Sequence, residues 1–160
     1  MRRLPAMSGA PLRIERRAGL RDRRGAVHAG AFLRERRIVF DCTAAEFPRV
    51  FVHELFHFAW RRAGNGLRLE YEGLLRRERD QGARGELGWS AEWRKTGLRD
   101  EDVRLRNRRW REYCCESYCD TAAWLYGGVE EHEEFTLRAR FRAARRLWFQ
   151  KMVEARRLSI

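Results

Sequence analysis

Residues Phe47 to Trp60 read FPRVFVHELFHFAW, and this stretch decides the fold. Thr43 and Glu46 stand at capping-box spacing just upstream, and Gly64-Asn65-Gly66 is a strong stop downstream. The spacing therefore predicts a helix over about 47–60, with Pro48 near its first turn. Its apolar residues surround the axis almost completely, which is the pattern of a buried helix. Two imidazoles and a carboxylate interrupt that pattern, at His53, Glu54 and His57. Burying three such groups is costly unless they share a purpose. His53 and His57 lie one turn apart on one face, where both rings can bind a single Zn²⁺. Glu54 sits beside His53 and can take a proton from a water activated by that ion without being a ligand itself.

A third protein ligand is expected, because catalytic zinc commonly takes three and leaves one place open. The helix predicted from Trp110 to Tyr126 offers Glu112, Glu116 and Asp120, four apart along one face. Glu112 reads equally well as solvated charge. Glu116 and Asp120 sit among Cys, Tyr, Ala and Trp, so Glu116 is the favoured ligand. Asp120, one turn on, can hydrogen-bond the far nitrogen of a ligating His and fix its orientation. Tyr113 shares the face of Glu116 and is a candidate oxyanion stabiliser. Cys115 and Cys119 could bind a soft metal, but small apolar packing accounts for them better. His28 and His132 read as ordinary polar residues.

Around these two helices the pattern is less sharp. Leu12 to Arg16 alternates as a short strand, and Ala31–Leu33 with Ile38–Phe40 flank a charged turn as a hairpin. Helix is expected from Leu69 to about Arg79, then a glycine-rich passage at Gly82, Gly85 and Gly88. Polar helix follows around Glu92 and from Asp102 to Arg109. A last amphipathic helix is expected from about Glu130 to Leu158, with Trp and Phe on the core and Arg facing water.

The chain has 160 residues, 44% of them hydrophobic, enough for one core. A flexible basic arm over 1–11 and a single domain over 12–160 are expected. No apolar run approaches the length of a membrane span, and the cysteines do not form a secreted disulfide framework. The expectation is a cytoplasmic protein with no membrane partner. The net charge of +12 comes from 35 basic and 23 acidic residues. All but two of the basic residues are Arg, and the charge concentrates at the ends: +8 over 1–40 and +7 over 136–160. Weak, non-specific contact with nucleic acid is a possible consequence.

FVHELFH after a hairpin, followed by ESYCDTAAWLY, resembles the gluzincin metallopeptidases, and more narrowly the IrrE/ImmA family. The resemblance covers mainly residues 31–60 and 110–126. It implies an α+β, zincin-like fold, mostly helical, with a small sheet before the metal helix. It maps His53, His57 and Glu116 to ligands of Zn²⁺, Glu54 to the catalytic base, and Asp120 to the position four beyond the ligand Glu. Phe56 stands where Gly is usual before the second His, and 58 residues separate His57 from Glu116. The implied function is zinc-dependent hydrolysis of a peptide or protein substrate. The alternative is a basic nucleic-acid-binding or regulatory protein with a structural or vestigial zinc site.

Overall fold

A computed structural model describes residues 4–22, 25–154 and 158–160 of the chain. The architecture is α+β and mostly helical, as expected. Strands β1 (Met7–Ser8), β2 (Arg13–Arg16), β3 (Arg21–Asp22), β4 (Gly25–Ala26), β5 (Ala29–Phe32) and β6 (Arg37–Phe40) come first. Helices α1 (Phe47–Arg62), α2 (Asn65–Asp80), α3 (Trp89–Thr96), α4 (Asp100–Arg104), α5 (Arg108–Tyr126) and α6 (Ala139–Phe149) follow. A π-helical turn over Gln150–Glu154 and strand β7 (Leu158–Ser159) complete it. Among the described residues no helix is long and apolar enough to cross a membrane.

The main sheet has the order β2-β6-β5. The hairpin pairs β5 antiparallel to β6, with Ala31 opposite Ile38, and β2 joins β6 in parallel, with Ile14 opposite Ile38. β6 is thus the central strand and β5 an edge. Met7 and Ser8, expected in a flexible arm, instead pair in parallel with Leu158 and Ser159.

α1 explains its own composition by lying between two layers. Val50, Leu55 and Phe58 pack on Ile38 and Phe40 of the sheet. Val52, Phe56 and Ala59 pack on the other side, in a core shared with α2, α5 and α6. Phe56 stacks near Tyr118, Tyr126 and Phe149, with ring centroids 5.7, 5.9 and 6.3 Å away. A glycine there would leave that aromatic cluster without its centre, which accounts for the Phe.

Three expectations change. The glycines at 64–66 end α1 but do not delay the next helix, since α2 starts at Asn65. α3 forms around Glu92 as expected, but the helix expected from Asp102 to Arg109 is broken: α4 ends at Arg104 and α5 begins at Arg108. The expected last helix is shorter: residues 130–138 are extended or turn, and α6 begins at Ala139. Phe135 and Leu137 are buried from that loop against Ala83, Leu87 and Phe141. The far end of the expected helix runs through residues 155–157, outside the described residues.

Arg145 of α6 was expected to face water and is instead fully buried. Its guanidinium donates to Glu78 at 2.7 Å and to Glu86 at 2.7 Å. Glu86 also accepts from Lys95 Nζ at 3.0 Å and from the Tyr113 hydroxyl at 2.6 Å. Burial alone would raise the pKa of Glu86, but Arg145 and then Lys95 outweigh it and hold it at about 2. This charged core ties α2, α5 and α6 to the loop before α3, and that loop reaches Asp120 of α5 through Gly88.

Candidate metal centre

α1 and α5 cross so that the polar face of each meets the other. His53 is held at both nitrogens. Its Nδ1 donates to Asp120 Oδ1 at 2.7 Å, and its Nε2 faces Glu116 Oε2 at 3.4 Å. His57 Nε2 faces the same Glu116 oxygen at 3.9 Å. The other Glu116 oxygen, Oε1, accepts from Arg94 at 3.0 Å, so Arg94 leaves Oε2 to the two rings. His53, Glu54 and His57 each bring a ligand atom within 4.8 Å of the others. Glu54 is buried and lines the cleft beside the cluster.

Asp120 is itself positioned. Its Oδ2 accepts the Ala91 N–H from the first turn of α3 at 3.1 Å. Gly88, just before α3, lies so close that a Cβ there would meet the Asp120 carboxylate at 2.3–2.5 Å. The loop carrying Gly88 is fixed in turn by Glu86, whose backbone carbonyl accepts from Thr136 and Leu137 at 2.9 Å each. Gly85 there has φ +78° and a backbone close against Thr136, a place only glycine fits without strain.

The electrostatics favour positive charge. Burial works against protonation of His53, yet Asp120 and then Glu116 outweigh it and hold its pKa well above the usual histidine range. His57 behaves likewise: burial lowers it, and Cys115 with Glu116 raises it to about 9. Burial would raise Glu116, but His53, His57 and Arg94 bring it down to about 2. The Glu116 carboxylate thus puts negative charge between the two rings, where a dication could sit.

The donor set fits one. Nitrogen and oxygen donors sharing a tetrahedral ion at about 2.0–2.2 Å stand roughly 3.4 Å apart. The 3.4 Å separation of His53 from Glu116 Oε2 matches that span, and the 3.9 Å separation of His57 lies about 0.5 Å beyond it. Asp120 supplies the outer hydrogen bond that leaves the Nε2 lone pair of His53 pointing inward. His53, Glu54 and His57 form a group that could hold a metal ion, and one oxygen of Glu116 faces both rings.

A cleft of about 700 Å³ opens onto this cluster. All four histidines of the sequence line it, His28 and His132 included. One wall is β5, whose outer edge pairs with no strand among the described residues. His132, Glu133 and Glu134 also line the cleft, pinned by Arg49, which donates to Glu134 at 2.9 Å and to Glu46 at 2.6 Å. His132 Nδ1 accepts the Glu134 N–H at 3.2 Å, which directs its Nε2 toward Glu46 at 3.4 Å.

Tyr113 does not join the site. It is buried with its hydroxyl committed to Glu86, on the α5 face turned toward Arg145. Spacing placed it near Glu116, but three residues along a helix shift a side chain by about 60°. Glu112 is half-exposed and pairs with Arg108 at 2.6 Å, the solvated alternative. Cys115 and Cys119 turn out to flank His57, each Sγ 3.5 Å from its Nδ1. The Cys119 hydrogen bond lowers the Cys115 thiol to about 6 against its burial, while burial pushes Cys119 well up. Arg94 carried no sequence signal and Gly88 stood out only within a glycine-rich passage; both act through partners far along the chain. Comparison with family models, curated proteins and solved structures finds no match for this chain.

Proposed function

We propose that the chain is a zinc-dependent metallopeptidase with a zincin-like fold, acting on a peptide or protein substrate. One observation carries the reading: both Nε2 atoms face a single oxygen of Glu116 while Asp120 fixes the His53 tautomer. His53, His57 and Glu116 hold the ion. Zinc held there supplies a Lewis acid and lowers the pKa of a water to about 7.

The other steps belong to the chain's own residues. Glu54 takes the proton of the attacking water and passes it to the departing amine nitrogen. Arg94 keeps Glu116 turned so that one oxygen serves the ion and the other stays neutralised. An extended peptide joins the sheet as a fourth strand along β5, hydrogen-bonded to the Ala29–Phe32 backbone, which aligns its carbonyl with the cleft. The cytoplasm is the proposed compartment.

Metal analysis together with hydrolysis tests the reading. The purified protein should hold about one zinc per chain. Glu54→Gln should keep that zinc and the fold while lowering hydrolysis of casein or a peptide library by about 10²–10⁴-fold. Undiminished hydrolysis by a zinc-loaded Glu54→Gln protein would refute the mechanism. Chelation should abolish activity and leave far-ultraviolet dichroism largely intact, because the aromatic core does not depend on the ion; unfolding on chelation would make the site structural.

A further inference from the structure

His57 presents two faces to two different donor sets. Its Nε2 faces Glu116, and its Nδ1 faces the thiols of Cys115 and Cys119, one helical turn apart on α5. The three ligand atoms on the sulfur side all lie within 4.8 Å of one another. None of the four cysteines is in a disulfide, so both sulfurs are available as thiols. We propose that His57 Nδ1, Cys115 Sγ and Cys119 Sγ form a second, thiophilic metal site, which takes a soft d¹⁰ cation of the cadmium or copper(I) class.

The separations suit a tetrahedral d¹⁰ ion of zinc's size, and a larger one such as cadmium needs a small outward shift of the donors. Zinc-like bonds of about 2.3 Å to sulfur and 2.0–2.1 Å to nitrogen place tetrahedral S and N donors about 3.5 Å apart. Both observed N···S separations are 3.5 Å. Thiolate donors select soft ions over the harder ones suited to carboxylate, so the two faces of His57 differ in preference as well as position. Cys115 is part-exposed and gives a route in, whereas Cys119 is fully buried and makes the far wall. Two protons leave for solvent when the ion binds, one from Cys119 and one from the Cys115–His57 pair, and the sulfurs retain the electron pairs that form the bonds.

The consequence is competition. A neutral imidazole has one lone pair. A cation on Nδ1 leaves the proton on Nε2, which can then donate toward Glu116 but can no longer ligate an ion in the first site. A soft ion would therefore displace the ion from the first site rather than sit beside it. The sulfur site itself does not depend on the peptidase reading.

Cadmium titration of the whole chain, purified under reducing conditions, tests this. Cd²⁺ should raise a near-ultraviolet thiolate-to-cadmium band that saturates at one equivalent and persists in His53→Ala and Glu116→Ala. Cys115→Ser should halve the band, and the Cys115→Ser/Cys119→Ala double variant should abolish it. His57→Ala should weaken cadmium binding by more than the roughly 10–100-fold typical of an outer-shell change. Zinc preloaded into wild type should appear in solution, one for one, as the band grows. No band in wild type, a band that survives the double cysteine variant, or full affinity in His57→Ala would each overturn the proposal. A band without zinc release would overturn the competition. A band in a protein that holds no zinc would uphold the sulfur site and count against the peptidase reading alone.

Discussion

His53 and Glu116 carry the site because each has both of its polar atoms assigned. His53 gives one nitrogen to Asp120 and the other to the cluster; Glu116 gives one oxygen to Arg94 and the other to the rings. Such pairing leaves little rotational freedom, and pre-organised ligands lose less entropy on binding. Glu112, the rival on the same helix, spends its carboxylate on exposed Arg108. Glu116→Ala should therefore strip the zinc, while Glu112→Ala should retain nearly all of it. Metal content by mass spectrometry after gel filtration checks both. A Glu112→Ala protein that lost its zinc while Glu116→Ala kept it would reverse the assignment.

The site is assembled where α1 and α5 meet, but its tolerance is set by α3. The N-terminal turn of α3 gives Asp120 a backbone donor at Ala91, and Gly88 leaves room for its carboxylate. Gly88→Ala should push Asp120 off His53, although Gly88 touches no ligand. Its φ of −178° is open to any residue, so crowding alone is being tested. Zinc affinity should fall by roughly 10–100-fold, as for Asp120→Ala, through loss of the outer hydrogen bond. Competition with a fluorescent chelator measures both variants, and unchanged affinity in Gly88→Ala would show that Asp120 has another way to settle. The hairpin, α1 and α5 were legible in sequence because each carries a local signal: alternation flanking a charged turn, an apolar run with Pro48 in its first turn, and acids four apart. The Thr43–Glu46 capping box itself does not form, since Glu46 is the N-cap and makes no side-chain cap bond. The turns of the loop over 130–138 were not legible. Their order rests on long-range partners, such as Thr136 with Glu86 and Glu134 with Arg49, which no short window contains. Tyr113 shows the same limit: spacing placed it within a turn of Glu116, but only the packed core assigns its hydroxyl to Glu86.

At the scale of the whole molecule, the arginine excess is partly structural. Arg145, Arg49 and Arg37 are all spent on carboxylates within the fold. The Arg145–Glu78–Glu86 cluster is the extreme case, since it places three charged side chains in the centre of the domain. A buried ion pair adds little net stability over apolar packing, yet removing one partner typically costs about 3–5 kcal/mol, because the remaining charge is stranded. Glu86→Gln should therefore lower stability at neutral pH by an amount of that order. The cluster also predicts how stability responds to acid. Glu86 is held at about 2 in the folded chain, against an ordinary carboxylate value of 4.5. A depressed folded-state pKa contributes stability that is present above about pH 4.5 and is lost as pH falls toward 2. The size of the effect is on the order of 3 kcal/mol. Urea unfolding followed from pH 6 down to about pH 2, with chelator present throughout so that metal loss does not contribute, should show this decline in wild type. Glu86→Gln, which has no proton to take up at that position, should start lower and fall less steeply across the same window. Parallel acid profiles for the two proteins would mean that Glu86 is not what couples this core to pH.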